Sequence, residues 1–369
     1  MSALSISEVR SPKPGWYLGD FHAHTTFSDG RYTPVELAGL ARERGLDFFA
    51  ITDHNSIGSY TEFGEDPGLL VIPGIEITLD IGHWNVFGME GWRDWMEGIC
   101  SDQISITLPD KYGSATEVMQ QIASQGLPNS INHPLLKPWE WREGGTQLRY
   151  VDYLEIWNDP LWPDNGTANP QAVEFWTACL NAGYRITAIG GSDFHFMPGD
   201  DPVYPGELMA LPGTYVYAEE LSGSGILAGI KQHRAYVSMG PRVSFTGQVN
   251  GTAYGVGADL GSAGGEIDLS ASVSEVSEGV TVKIIKNGLP VAESVLHSAA
   301  GPVRFSERLD PSSAGWYRMD VFNQEGQMIA VTNPIFTGVQ PPPVLETFLD
   351  VFINQEPLIH GGEVTKIEA

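Results

Sequence analysis

Short apolar runs recur along the first two thirds of the chain, and polar residues bound each of them. Residues 48–51, 70–72 and 186–189 have the length and the aromatic or β-branched content of buried strands. Amphipathic segments separate these runs. Strands that alternate with helices are typical of a parallel α/β fold. We therefore predict an α/β domain over residues 16–243, after a flexible lead-in formed by residues 1–15.

Three of the intervening segments predict helices. Thr33 followed by Pro34 is a typical helix start, and Gly45 is a typical end. Further helices are predicted over residues 115–124 and 171–182. Residues 91–114 are too long for an ordinary βα loop, which spans about 2 to 6 residues. This segment is either a surface excursion packed by its own aromatic residues or a lid over the site.

The pattern changes near residue 244 to short alternating runs separated by turns such as Asn250-Gly251. Evenly spaced runs with period two predict an immunoglobulin-like β-sandwich over residues 244–338. Residues 339–369 form a Pro-rich linker and a C-terminal tail. The apolar stretch 345–353 in this tail can clasp either the body of the protein or a second subunit, and a homo-oligomer formed through the tail or the sandwich is expected.

The composition of the chain limits the classes of partner that it is expected to bind. The formal net charge is −26, with 46 acidic against 20 basic residues, which disfavours nucleic acids and anionic membranes. A small-molecule ester substrate is therefore expected. No apolar run reaches the ~20 residues of a membrane span, and the first residues lack a signal peptide. We expect a cytoplasmic protein, with export by a leader absent from this chain as the alternative.

Six of the nine histidines lie in clusters that end predicted strands and carry carboxylates or amides. Carboxyl ends of parallel strands converge, and imidazole with carboxylate is the ligand set shared by zinc, manganese and iron. Single clusters are weak signals, but their joint pattern predicts a multinuclear metal site. A set of hydrogen-bonded core residues is the alternative, and it would bury many ionisable groups without a compensating cation. The clusters are residues 20–24, 52–54, 74–83, 132–134 and 192–195.

These motifs together resemble the PHP (polymerase and histidinol phosphatase) superfamily, and most closely its CehA/McbA-like branch. The resemblance covers roughly residues 16–243 and implies a distorted, TIM-like (β/α)7 barrel with two or three divalent ions, zinc, manganese or iron. The segments that carry it are DFHAHTTFSDG at 20–30, AITDHN at 50–55, PGIE at 73–76, NHP at 132–134 and GSDFH at 191–195.

The resemblance also implies the ligands of each ion. Asp29 stands where some relatives have histidine, and a carboxylate there suits a harder ion than zinc. Asp53 either ligates an ion or, as we expect, orients a ligand through a hydrogen bond. The first ion is assigned His22, His24, Glu76 and Asp193, the second Glu76 with His83 and His133, and the third His54, His195 and Asp29.

The chain lacks a GxSxG motif and a reactive cysteine setting, so a protein nucleophile is not expected. The expected mechanism is hydrolysis by a metal-bridging hydroxide. In it Glu76 and Asp193 position the metals, while His54 or His195 protonates the leaving oxygen if it is not a ligand. The assigned catalytic residues are Asp53, His54, Glu76, Asp193 and His195.

Phosphoesterase activity follows from the resemblance. Few arginines or lysines lie near the metal motifs, so we expect phosphodiesters to be preferred over monoesters. The alternatives are a carboxylic or carbamic aryl ester hydrolase of the CehA type and a non-catalytic metal-stabilised binding module. Tryptophan-rich loops suit an apolar or aromatic substrate, and an E-x-x-N strand end in the family places Asn158 near the metals. The assigned substrate contacts are Trp84, Asn132, Trp157 and Asn158.

Overall fold

The computed structural model describes residues 4–297 and 301–366, which form a mixed α/β fold with large sheets. Its strands are β1 (Val9–Ser11), β2 (Gly15–Asp20), β3 (Phe48–Ile51), β4 (Leu70–Leu79), β5 (Gly82–Phe87), β6 (Asn129–Ile131), β7 (Tyr153–Asn158), β8 (Thr187–Gly191), β9 (Gly213–Ala218), β10 (Leu221–Ser222), β11 (Ala235–Ser238), β12 (Arg242–Val249), β13 (Thr252–Gly255), β14 (Gly265–Ser274), β15 (Val280–Lys286), β16 (Leu289–Leu296), β17 (Val303–Leu309), β18 (Gly315–Phe322), β19 (Met328–Thr332) and β20 (Ile335–Thr337). Its helices are α1 (Pro34–Glu43), α2 (Ala115–Ser124), α3 (Asn165–Asn181), α4 (Gly223–Lys231), α5 (Phe348–Ile353) and α6 (Gln355–His360).

The main sheet contains the strands that carry the histidine clusters, in the order β9-β2-β3-β4-β5-β6-β7-β8. β2, β3 and β4 are mutually parallel, as are β6, β7 and β8. β5 is antiparallel to both of its neighbours. Its pairing with β4 is a hairpin, because Asp80 and Ile81 alone connect the two strands. This hairpin pairs Thr78 with His83 and brings the Glu76 and His83 motifs to the same part of the sheet.

A closed barrel is not found among the described residues, although the resemblance implied one. β2 and β8 share no ladder, and an isolated bridge between Ala23 and Phe194 joins their ends instead. A side chain of β9 also bonds the backbone of β8. The Thr214 hydroxyl bonds both the N–H (2.9 Å) and the C=O (2.8 Å) of Gly190. The two strand ends are nevertheless adjacent, so the motifs that follow them lie side by side.

Two packed sheets form the C-terminal part of the described chain. β13-β12-β14-β17 is one sheet, and the strands β15, β16, β18, β19 and β20 extend the main sheet through the β11–β19 pair. The two sheets share a buried cluster that includes Ile267 and Leu269 from one and Val282 and Met319 from the other. The immunoglobulin-like type of this pair and the domain boundary near residue 244 stay predictions, since the main sheet crosses that boundary.

Four of the six described helices begin after a residue whose side chain caps them. Thr33 and Glu36 form a capping box at the start of α1, and α2 spans the predicted residues 115–124. α3 begins at Asn165, earlier than the predicted residue 171. In this additional stretch the side-chain amides of Asn165 and Asn169 donate to the backbone carbonyls of Asp159 and Asn158 and hold the first turn.

Both ends of the described chain pack against the body. Within the predicted lead-in, β1 pairs with β10, while residues 1–3 lie outside the described residues. In the tail, Phe348 of α5 packs on Phe175 of α3 with ring centroids 4.3 Å apart. Residues 367–369 also lie outside the described part. None of the helices within 4–297 and 301–366 is long and apolar enough to span a membrane.

Candidate metal centre

The chain just beyond β2 carries His22 and His24 on one side and Phe21 and Ala23 on the other. Phe21 and Ala23 are fully buried in apolar clusters, because successive side chains of an extended segment point to opposite sides. The two imidazoles therefore face the same space. The Asp20 carboxylate holds this end of the strand by accepting hydrogen bonds from the backbone N–H groups of His22 (3.1 Å), Ser192 (3.0 Å) and Ala210 (2.7 Å).

Glu76 lies at the centre of the histidines and is fully buried. Its two oxygens face different imidazoles, which is the arrangement expected of a carboxylate that bridges two cations. Oε1 lies 3.2 Å from His22 Nε2, 3.3 Å from His83 Nδ1 and 3.6 Å from His133 Nε2. Oε2 lies 2.7 Å from His54 Nδ1 and 3.5 Å from His24 Nε2.

Asp193 is the second carboxylate that touches several imidazoles. Its Oδ1 lies 3.1 Å from His22 Nε2 and 3.0 Å from His24 Nε2. Its backbone is left-handed, with φ of 54°, and that of His133 is also positive at 26°. Such conformations are uncommon for residues with a Cβ and concentrate at functional sites. The turn at Asp193 aims the carboxylate back toward the end of β2.

Asp29 and His195 form the most exposed part of the centre. Asp29 Oδ1 lies 3.3 Å from His195 Nε2 and 3.5 Å from His54 Nε2. The Asp29 side chain is 34% exposed and that of His195 is 20% exposed, whereas Glu76 is 0% exposed. An ion held here would exchange with solvent more readily than one held beside Glu76.

The ligand atoms fall into three groups that are compact enough for each to hold an ion. The first group is the predicted one. The second contains His54 where the resemblance implied His133, and the third includes His24 in addition to the three predicted ligands. The groups are His22, His24, Glu76 and Asp193; His54, Glu76 and His83; and His24, Asp29, His54 and His195.

Glu155 is a buried carboxylate of the centre that was missing from the predicted site residues. Its Oε1 lies 2.9 Å from His22 Nδ1, and its Oε2 accepts the backbone N–H of His133 (2.8 Å) and the amide of Asn158 (3.1 Å). Gly191 leaves room for it, since a Cβ there would lie 2.7 Å from Glu155 Oε1. Glu155 therefore orients ligands rather than contacting an ion, and the E-x-x-N spacing to Asn158 was its sequence signal.

Two other predicted site residues likewise form hydrogen bonds to neighbouring groups of the centre. Asn132, assigned as a substrate contact, instead donates its amide to Glu76 Oε1 at 2.8 Å and is buried. Asp53 accepts hydrogen bonds from the Thr25 N–H (2.7 Å), the Thr25 hydroxyl (2.9 Å) and the Ser28 hydroxyl (3.0 Å). It thus fixes the loop that follows His24 and precedes Asp29.

In the metal-free chain the centre contains both neutral and protonated imidazoles. Burial lowers the pKa of His24 to about 3 and that of His83 to about 4, so both are neutral imidazoles near pH 7. Burial would raise the pKa of Glu76 and Asp193, but nearby histidines, His22 first among them, hold both pKa values well below the ordinary range. Burial would also lower the pKa of His22, His133 and His195, but nearby carboxylates raise all three, that of His195 to about 10. Because divalent metals bind neutral imidazole and ionised carboxylate, a bound ion must displace the protons of these three histidines.

Several buried atoms in the described centre lie close to polar neighbours but form no hydrogen bond of good geometry. They include His22 Nε2, Glu76 Oε2 and His83 Nδ1. A buried polar group without a partner costs about 1–3 kcal/mol, and a divalent cation coordinated by these atoms would remove that cost. The donor set and its unpaired atoms therefore fit the ions that the sequence predicted.

The centre forms one wall of a cavity of about 520 Å³, a volume within the range of about 300–1,000 Å³ for small-molecule sites. Ile104 and Ser105, from the long segment 91–114, also line the cavity, while Trp95 and Met96 of that segment are buried in the core. The predicted site residues that line the cavity are Asp29, His54, His83, His133, Asn158, Asp193 and His195.

The prediction of Trp84 and Trp157 as substrate contacts is corrected by the structure. Both belong to the main apolar core. Side chains alternate along β5, so His83, which faces the centre, turns Trp84 away from it and against Trp141, at 5.6 Å between ring centroids. An irregularity in β7 between Glu155 and residue 157 likewise leaves Trp157 in the core. The larger aromatic rings that do line the cavity are Trp139, Trp162, Phe196 and Tyr204.

Comparison with known proteins gives one family match. The family described as the PHP domain matches residues 20–217. The 5'-3' exoribonuclease of Haemophilus influenzae is 26% identical over 121 residues, which are 31% of this chain and 42% of that protein. The phosphoribosyl 1,2-cyclic phosphate 1,2-diphosphodiesterase of Eggerthella lenta is 37% identical over 62 residues, 16% of this chain and 24% of that protein.

The chain thus spans less than half the length of these curated relatives. Among solved structures, it is similar to a two-domain protein from Bacteroides vulgatus that contains a predicted PHP-like metal-dependent phosphoesterase. That similarity has a TM-score of 0.47 and 19% identity, and it covers 90% of this chain and 100% of the other.

Proposed function

This chain belongs to the PHP domain family, and from that membership we propose that it is a metal-dependent phosphoesterase that prefers small phosphodiesters. The observation that carries the proposal is the contact of two carboxylates, the buried Glu76 and the partly buried Asp193, with several imidazoles beside a cavity of substrate size. The curated relatives from Haemophilus influenzae and Eggerthella lenta support the diester preference, because both of their names describe cleavage of phosphodiester bonds.

Two or three divalent cations, zinc, manganese or iron, belong to this proposal. Such cations, when bound, lower the pKa of water to about 7 and polarise the phosphoryl oxygens of a substrate. The residues that would hold them are His22, His24, Asp29, His54, Glu76, His83, His133, Asp193 and His195.

The chain's own residues contribute orientation and proton transfer. Glu155 forms a hydrogen bond with His22, and Asn132 donates one to Glu76, so each holds a candidate ligand in its orientation. Asn158 donates its amide to Asp193 Oδ2 at 3.3 Å and also lines the cavity. It is therefore placed to contact both Asp193 and a bound substrate. His195 carries Nε2 at the cavity, from which it would protonate a departing oxygen when it does not coordinate an ion.

Charge around the cavity supports a diester over a monoester. Arg142 is the one arginine or lysine among the described residues that line it. The guanidinium of Arg142 already donates to the carbonyl of Asp80 (3.3 Å) and lies 3.3 Å from Glu140. Asp80 and Glu207 add carboxylates to the same lining, together with Asp159, whose pKa burial raises to about 7. A monoester dianion needs more compensation than a diester, and the lining offers little beyond the metals.

A second candidate function is hydrolysis of carboxylic or carbamic aryl esters. The apolar part of the lining, which includes Leu136, Pro138 and Trp139, favours it because a neutral ester needs no cation to bind. The same metal centre would serve either bond. The two candidates differ in the substrate that is turned over.

Further parts of the proposal concern fold and setting. We propose that the matched region is an open, distorted form of the (β/α)7 barrel. We also propose that the C-terminal sheets are an immunoglobulin-like sandwich. The protein would act in the cytoplasm, without nucleic acid or membrane partners. Self-association through the tail is also proposed, and it is supported by Leu349, Phe352 and Ile353, which are 39–46% exposed on α5.

The test is a substrate panel with defined metals. The purified chain is loaded separately with Mn²⁺, Zn²⁺ or Fe²⁺, and kcat/KM is measured for bis-p-nitrophenyl phosphate, p-nitrophenyl phosphate and p-nitrophenyl acetate. Asp193→Ala is the matched inactive control and reports contaminating phosphatase. We expect the diester to be turned over with the highest kcat/KM. A monoester preference that strengthens at low salt would contradict the proposal, and turnover of the acetate alone would favour the second candidate.

A further inference from the structure

Three large aromatic side chains meet at one side of the cavity: Trp139, Trp162 and Tyr204. Each lies in the loop that follows a parallel strand, namely β6, β7 and β8. Trp139 meets Trp162 edge-on with ring centroids 5.6 Å apart, and Trp162 stacks on Tyr204 at 5.6 Å with 18° between the ring planes. We call these three residues the aromatic wall.

The aromatic wall is more exposed to solvent than is favourable for large apolar rings. Trp139 is 39% exposed and Tyr204 is 50% exposed, and neither belongs to an apolar core cluster of the described residues. Rings from three separate loops nevertheless converge on one another beside the metal-facing histidines. Contiguous exposed apolar surface of this kind, next to a functional site, marks a binding surface.

We propose that the aromatic wall binds a planar aromatic group of the substrate and thereby holds the adjoining ester bond at the metal centre, an inference that rests on the proposed function. The stacked pair Trp162 and Tyr204 presents parallel ring faces, and a further planar ring continues such a stack with favourable offset geometry. An alkyl group would gain burial on the wall but not the stacking interaction.

Negative charge in the cavity lining limits which substituents the aromatic ring of the substrate can carry. The Glu207 carboxylate lines the cavity with the aromatic wall and is more than nine-tenths buried. An additional anionic substituent on the ring would be repelled there. The ring is therefore neutral, and two sources fit its chemistry: a simple aryl ester and the base of a small nucleotide.

The experiment measures binding, so that it does not depend on turnover. Phenylphosphonate and methylphosphonate share one headgroup and differ in the ring, and each is titrated calorimetrically into the Mn²⁺-loaded chain. We expect phenylphosphonate to bind about tenfold more tightly, a factor that corresponds to about 1.4 kcal/mol. The double variant Trp139→Ala/Tyr204→Ala should lose this preference and keep its affinity for methylphosphonate. Trp92→Ala, a change at another exposed tryptophan, is the matched control and should keep the preference.

A second pair of ligands separates the two sources. Adenosine 5′-monophosphate is compared with ribose 5-phosphate; a larger affinity ratio than that of the phosphonate pair assigns the ring to a base, and a smaller one assigns it to a simple aryl group. Equal affinities within both pairs, or a preference that survives in the double variant, would overturn the inference. A ring preference in a chain that hydrolyses no phosphodiester would support the aromatic wall and refute the proposed function instead.

Discussion

Replacing Glu155 by glutamine tests how strongly the residues that hydrogen-bond the metal ligands control metal affinity. Glutamine keeps the shape of the side chain but removes its charge and exchanges one acceptor oxygen for a donor. Glu155 serves His22 Nδ1 (2.9 Å), the His133 N–H (2.8 Å) and the Asn158 amide (3.1 Å), so at least one of these groups must lose its acceptor. The Glu155 side chain is 1% exposed, and water cannot easily replace the lost oxygen.

The size of the effect follows from two independent estimates. Hydrogen bonds to charged groups contribute about 1.5–3 kcal/mol. Loss of a residue that orients a metal ligand typically lowers metal affinity about 10–100-fold, which corresponds to about 1.4–2.8 kcal/mol. The two ranges overlap. We therefore expect Glu155→Gln to bind its most tightly held ion about 10–100 times more weakly than the wild type.

A chelator competition at constant pH measures this change. The chain is loaded with Mn²⁺ or Zn²⁺, and the chelator concentration that removes half of the metal is compared between variants. Asp152→Asn is the matched control, because Asp152 lies three residues earlier and accepts hydrogen bonds from Asn129, outside the ligand groups. Equal release from Glu155→Gln and the wild type, or an equal weakening in Asp152→Asn, would refute the reasoning.

Three further predictions address other residues. Asp29→Ala should lower the bound metal by one ion per chain, and that ion should leave the wild type first during dialysis against a mild chelator, because Asp29 is the most exposed ligand; metal analysis checks both. Burial raises the pKa of Asp159 to about 7, so the metal-free folded chain holds an extra proton and loses stability as the pH rises from 3.8 to about 7. Asp159→Asn should therefore raise the urea midpoint at pH 7.5 and leave it nearly unchanged near pH 4, whereas a gap that does not vary with pH would contradict this. Asp320→Ala should destabilise the fold by about 3–5 kcal/mol in urea unfolding, because it leaves the buried Arg318 guanidinium, now 2.8 Å from Asp320, without its counter-ion.

Local patterns accounted for much of the fold, and long-range hydrogen bonds accounted for what they missed. Thr33 and Pro34 predicted the start of α1, and the apolar runs predicted β3, β4 and β8. Closure of the sheet was not predictable in the same way. The ends of β2 and β8 meet at the isolated Ala23–Phe194 bridge, and the Thr214 hydroxyl, 24 residues away, bonds the backbone groups of Gly190 in β8. Period and propensity describe a segment, and they do not say which distant side chain competes for its backbone.

The ligands were accessible to sequence reasoning because each lies in or near a motif that ends a strand. Glu155 was overlooked as a site residue because its own motif has no histidine. The side-chain alternation along β5 was available, however, and it excludes Trp84 once His83 is assigned to the centre. Trp162 and Tyr204 lie in loops whose paths no periodicity describes, so their meeting beside the histidines could be found only from the structure.

The most direct test of the metal centre is the metal content and phosphodiester turnover of Glu76→Ala beside the wild type. Glu76 lies within 3.6 Å of imidazoles from every ligand motif except that of Asp193 and His195. The wild type should bind at least two divalent ions per chain and hydrolyse bis-p-nitrophenyl phosphate. Glu76→Ala should lose both properties while circular dichroism shows a folded chain. Full metal content together with full turnover in Glu76→Ala would contradict the account.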